Sequence, residues 1–181
     1  MNFQFYVEKL KGSSEYEEFM KNNKGAIPVS GFLVMDKQGA EPLVTSSKLG
    51  QSKEKSDNQQ HFDFFVPEEK KMFSLKLEKG CELSSIDIFG ESPPKEIDLD
   101  MDFDFNEVED LILSRMEKEG VKNKIQKLLF SLQKKDGKHY LIGTIFISSL
   151  GLLKVSVDVE DMKIEDFEKK SFFDIVKIKK K

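Results

Sequence analysis

Tryptophan is absent from this chain, cysteine and arginine occur once each, and histidine occurs twice. Each scarcity excludes something. A lone Cys81 permits no intrachain disulfide and no thiolate-based zinc site. With Arg115 the only arginine among 29 basic residues, the planar forks that clamp phosphate or carboxylate with two hydrogen bonds are nearly missing. That weighs against arginine-based phosphoryl transfer and, together with a net charge of -4, against nucleic acid as a partner. Phosphate-binding loops, dinucleotide fingerprints and His-Glu zinc motifs are also missing. The first residues, MNFQFYVEKLKGSSEYEEF, lack the continuous apolar core of a signal peptide. A cytoplasmic protein is the default expectation, with an exported or envelope-associated one as the alternative if a leader has been trimmed.

Long hydrophobic runs are scarce too. The densest, within residues 138–159, carries no charge for the fourteen residues from Tyr140 to Leu153, short of the roughly 20 that a membrane-spanning helix needs. Gly143, Ser148, Ser149 and Gly151 interrupt it, and its remaining residues are β-branched, aliphatic or aromatic. It reads as a β-hairpin at the centre of an antiparallel sheet, entered through an Asp136-Gly137 turn and reversed at 148–151. After that turn Leu153, Val155, Val157 and Val159 point one way, and Lys154, Ser156 and Asp158 the other. Before it both faces are apolar, with Leu141, Ile145 and Ile147 opposing Tyr140, Ile142 and Phe146. Such a strand is expected to be covered on both sides.

Along the rest of the chain, residues 2–10 fit an edge strand or an early helix equally well. Ser14 with Glu17 has capping-box spacing and predicts a short helix stopped near Gly25. Strands are expected at 26–36, 42–44, 61–66, 71–79 and 85–89. Residues 45–60 read as a mobile loop, because Leu49 is their only apolar side chain. GESPPK at 90–95 is the expected boundary. Beyond it come a strand at 97–105, a helix from Asn106 (as N-cap) to Gly120, and a strand or, as runner-up, a helix at 124–133. A last strand at 163–167 and a terminal helix at 171–179 follow the hairpin. The expectation is an α+β protein with helices packed on antiparallel sheet, in two similar helix-plus-meander halves, 1–90 and 91–181.

The stretch that invites a functional reading is IDLDMDFDF at 97–105. As a strand it would project Asp98, Asp100, Asp102 and Asp104 from one face, about 6.7 Å apart, with Ile97, Leu99, Met101, Phe103 and Phe105 opposite. Three readings stay open: a solvated face, a docking surface for a basic partner protein, or a cation site. Asp98, Asp100 and Asp102 with Glu109 at the twelfth place copy the ligand spacing of an EF-hand calcium loop. Phe103, however, stands where that loop needs glycine. Catalysis has less support. His61 and His139 are expected to border strands and Cys81 to be an idle thiol, so a small hydrolase or transferase would need a dispersed site. The terminal KIKKK reads as a tail whose charge suits a helix C-terminus.

The helix NEVEDLILSRMEKEG, the turn KKDGKHY and the strand LLKVSVDVEDMKIEDFE together resemble a PepSY-type domain over about 106–168. Val155, Val157 and Asp158 match its hydrophobic-x-hydrophobic-Asp strand end, while Glu160-Asp161 stands where the family has Thr-Gly. The resemblance implies an exported or envelope-associated binding module and carries over no catalytic residue. The expected function is therefore a non-catalytic binding or protein-interaction module, without a cofactor (calcium aside) or transmembrane segment, and with self-association open.

Overall fold

The structure is a computed structural model that describes residues 1–37, 58–87 and 94–171. The elements expected at 42–44 and 171–179 and nearly all of the 45–60 loop fall outside those residues, as does most of the 90–95 boundary. Three helices and eight strands are described: α1 (Phe3–Lys11), α2 (Ser14–Asn22), β1 (Ile27–Asp36), β2 (Gln59–Val66), β3 (Lys71–Lys76), β4 (Glu82–Ile86), α3 (Phe105–Lys118), β5 (Ile125–Lys135), β6 (Lys138–Ile147), β7 (Gly151–Asp158) and β8 (Lys163–Ser171).

All eight strands form one antiparallel sheet in the order β4-β3-β2-β1-β5-β6-β7-β8. The chain is thus α+β, with β1–β4 and β5–β8 as two four-stranded meanders joined through their first strands. At the junction Gly31 faces Leu132, and Asp36 faces Lys127. The Asp136-Gly137 turn has φ of +51° and +85°, the two positive values that a tight hairpin matched to strand twist requires. Lys135 then faces Lys138 directly across it. The reversal after β6 uses Ser149 and Leu150 in the same left-handed region.

The helices supply one layer of the core. Phe3, Tyr6, Val7 and Leu10 are buried at i, i+3, i+4 and i+7 of α1, which decides residues 2–10 for helix. Ser13, one residue before the expected Ser14, caps α2 by accepting from the Tyr16 amide at 3.2 Å. Val108, Ile112 and Met116 are the buried stripe of α3, with Leu111 partly buried against the core. These join Phe64, Leu75, Leu128, Phe130, Leu141 and Leu153 of the sheet in a single cluster. Each such side chain taken wholly from water contributes about 1.5–3 kcal/mol.

The two meanders each bury one glycine opposite a phenylalanine: Gly31 faces Phe62, and Gly143 faces Phe130. Their surroundings differ. A Cβ at Gly31 would meet Phe62 at 3.4 Å, whereas one at Gly143 would stand 2.5 Å from Val155 Cγ2 and 2.9 Å from Phe130. At Gly143 only hydrogen fits.

The expected strand at 97–105 is not a strand. Ile97, Leu99, Phe103 and Phe105 are buried as the alternation implies, but the backbone turns at Leu99–Asp100 and its amides bond elsewhere. Ile97 N donates to Pro28 O, Asp98 N to His139 Nε2, and Asp100 N to Asp98 Oδ1. The segment crosses the start of α1 through a bridge between Asn2 and Asp104. Alternation reported one-sided burial correctly; it carried no information on pairing. Asp104, not Asn106, caps α3, its carboxylate accepting from the Asn106 amide at 2.7 Å.

Candidate functional site

Alternation sends every second strand residue to the sheet face away from the helices. Across β5–β8 that face holds a trough of about 820 Å³. Tyr140, Ile142 and Thr144 of β6 line it beside Ser156 of β7, with Lys135 and Lys154 set against Asp136, Glu165, Asp166 and Glu168. Ile142 is 42% exposed, and Tyr140, Phe146 and Leu129 are half-buried. β6 therefore carries apolar residues on both faces as expected, and the described helices lie over only one of them.

Beside the trough, β7 ends in a buried carboxylate. Asp158 accepts from Lys138 Nζ at 2.7 Å and from the amides of Glu160 and Asp161 at 3.0 Å each. Burial pushes its carboxyl up, but the Lys138 ammonium and the two amides outweigh that and hold it below the usual range. The same contacts, with Asp161, raise the Lys138 ammonium well above its ordinary value. His139, also buried, accepts from Asp98 N at Nε2 (3.1 Å), so the proton on Nδ1 is donated to Glu160 at 2.8 Å. Every polar group of this node has a partner, and its work is to fix the 158–162 turn and the 97–104 segment.

The corresponding face of the first meander differs. Ser30 of β1 faces Asp63 of β2, Asp63 faces Ser74 of β3, and Ser74 faces Ser84 of β4. Ser30 Oγ donates to Asp63 Oδ2 at 2.8 Å. His61 stacks on Phe32 with ring centroids 4.8 Å apart, and its Nε2 lies 3.7 Å from Asp63 Oδ1. Burial holds this imidazole below its ordinary pKa, against the opposing pull of Asp63 and Glu78. The row went unseen in the sequence because its members are far apart in the chain and meet only through strand register.

The four aspartates of 97–104 do not form a ladder. Asp104 binds the N-terminal ammonium at 2.7 Å as well as capping α3, and those bonds lower its pKa. Asp102 accepts from Asn2 Nδ2 at 2.6 Å, and Asp100 pairs with Lys11 at 3.2 Å. Asp98 accepts from the Asp100 amide. Glu109, the twelfth-place ligand of the calcium reading, pairs with Lys37 at 2.7 Å. Among the described residues no group of three or more His, Cys, Asp or Glu side chains is placed to hold a metal ion. His61 and His139 lie in different meanders, on β2 and β6. Cys81 is half-buried, and burial pushes its thiol up.

No family model matches the chain, and no curated protein matches it. Among solved structures, a "putative lipoprotein" of Clostridium difficile 630 is similar at 10% identity over 86% of this chain and 90% of its own, with a TM-score of 0.47. That likeness is too distant to carry a functional argument. No described helix is long and apolar enough to cross a membrane.

Proposed function

We propose that the chain is a non-catalytic binding module that holds a basic segment of a partner protein against the open face of its second meander. The supporting observation is the trough itself. It combines half-exposed Tyr140 and Ile142 with four acidic and two basic side chains, a surface complementary to apolar and cationic groups together. The helix α3 followed by the meander β5–β8 agrees with the resemblance to PepSY-type domains, as does the Asp158 strand end. That resemblance favours an exported or envelope-associated placement and, with the first meander built alike, a duplicated helix-plus-meander unit. The acidic stretch at 97–104 is a weaker docking candidate: its aspartates hold the N-terminus, Asn2, Lys11 and a backbone amide and so fix the segment itself, whereas Glu165 and Glu168 pair with Lys163 and Lys170 of their own strand.

Fluorescence anisotropy of labelled oligolysine and oligoglutamate peptides of equal length tests this reading. Oligolysine is expected to bind, and Glu165→Gln/Asp166→Asn/Glu168→Gln to weaken it about 10-fold or more. Asp98→Asn/Asp100→Asn/Asp102→Asn should leave it unchanged. Binding that survives the first triple variant, or no binding of oligolysine, overturns the proposal.

A further inference from the structure

The polar residues of the first meander pose a question that those of the second do not. Asp63 Oδ1, Ser74 Oγ and Ser84 Oγ are buried oxygens with no hydrogen-bond partner among the described residues. They occupy consecutive positions across three neighbouring strands, since Asp63 faces Ser74 and Ser74 faces Ser84. The large majority of buried side-chain oxygens in folded proteins are paired, and each unpaired one costs about 1–3 kcal/mol. Three in one row concentrate that cost on a single line of one face. Folds tolerate such a line where something else completes it.

The chemistry of the line selects what that is. Ser30 holds Asp63 Oδ2 and leaves Oδ1 without a donor. His61 Nε2 is 3.7 Å from it, too far for a hydrogen bond. Its burial also disfavours the imidazolium that would neutralise the carboxylate. Ser74 adds hydroxyl lone pairs on the strand next to that carboxylate, and Ser84 adds more on the strand beyond. Asp63 and Ser74 are direct partners on neighbouring strands, about 4.8 Å apart, so a group with several N–H donors seated against the pair can address both side chains. The Phe32–His61 stack stands next to it on the same face, and ring faces attract cations.

We propose that Asp63, Ser74 and Ser84 form a binding site for a primary ammonium group, seated between Asp63 and Ser74 with Ser84 bonded to the Ser74 hydroxyl or to the group itself. The site shares no residue with the trough on β5–β8, so the two readings stand or fall separately.

Backbone amide NMR of the full chain tests it. Methylammonium chloride, titrated to about 100 mM, a range that covers weak millimolar binding, is expected to give saturable shifts at Ser74 and Ser84. Tetramethylammonium and potassium chloride at equal ionic strength should not. Asp63→Asn is expected to weaken binding about 10-fold, as loss of a charge-assisted bond does. Ser74→Ala/Ser84→Ala, which removes two unpaired hydroxyls and so should fold at least as well as the parent, is expected to weaken it about 5-fold. Saturation by Nα-acetyl-lysinamide as well assigns the ammonium to a lysine side chain; saturation by methylammonium alone assigns it to a small free amine. Either result supports the proposal. Shifts that fail to saturate, equal shifts with tetramethylammonium or potassium, or unchanged binding in the serine double variant overturn it.

Discussion

Asp158 in the second meander and Asp63 in the first occupy the same face of one sheet, each largely withdrawn from water, with a histidine on the neighbouring strand of the one and on the same strand as the other. Their surroundings are opposite. Asp158 receives a lysine ammonium and two backbone amides; Asp63 receives one serine hydroxyl and keeps an oxygen without a hydrogen-bond partner among the described residues. The glycines repeat the contrast, because the second meander admits no atom at Gly143 and the first leaves ordinary contact distance at Gly31. The second meander spends its buried polarity on holding itself together, while the first leaves a line of it unpaired. A buried carboxylate is therefore not informative by itself. Its complement of donors separates a structural role from a binding one.

The comparison can be broken or sharpened by substitution. The largest effect is expected at Asp158→Ala, which strips Lys138 and two amides of their acceptor. A loss of about 3 kcal/mol, and with it about 6–12 °C in Tm, should appear in thermal melts; a loss as small as that of Asp63→Ala would erase the distinction between the meanders. Next comes Gly143→Ala. Forcing a Cβ against Val155 and Phe130 should cost about 1–3 kcal/mol in urea unfolding.

Acid should separate the two carboxylate environments. His61 has a lowered folded pKa, so its contribution is complete above the unfolded value of 6.5 and is lost as pH falls below it towards the folded one. Asp158 is lowered from 3.8, so its contribution is complete above that value and disappears only as pH falls through its folded pKa. Unfolding free energy measured from pH 7.5 downwards should thus fall in two steps. His61→Gln should remove the step that begins near pH 6.5, and Asp158→Asn should reduce the one below pH 4. The smallest effects favour stability. Gly31→Ala should gain about 0.4–1 kcal/mol by restricting the unfolded chain, and Ser74→Ala about 0.5 kcal/mol by deleting an unpaired hydroxyl.

Much of the second meander is legible in its sequence. Asp136-Gly137 specified its turn, the alternation of Leu153, Val155 and Val157 specified which face is buried, and Val108, Ile112 and Met116 marked the helix. Local chemistry decides those features, and local chemistry is written in adjacent residues. The segment 97–104 misled because a two-residue period records burial on one side whether the backbone pairs with a strand or with side chains such as His139. The candidate site was the least legible part. Asp63 between Phe62 and Phe64 was visible as a polar residue on a strand, but its alignment with Ser30, Ser74 and Ser84 depends on three ladders. The one usable signal is a carboxylate set between phenylalanines in the middle of a strand.

The junction of the two meanders also dictates an order of assembly. Each neighbouring pair within β5–β8 is joined by a short turn, whereas β1 and β5 meet only after about 90–100 residues of intervening chain have been drawn together. Contacts that distant are the slow ones to form, so the second meander can nucleate on its own hairpins while the first waits for β5 as a finished edge. Hydrogen exchange in the native protein would then report two cooperative units, with the amides of β6 and β7 opening last.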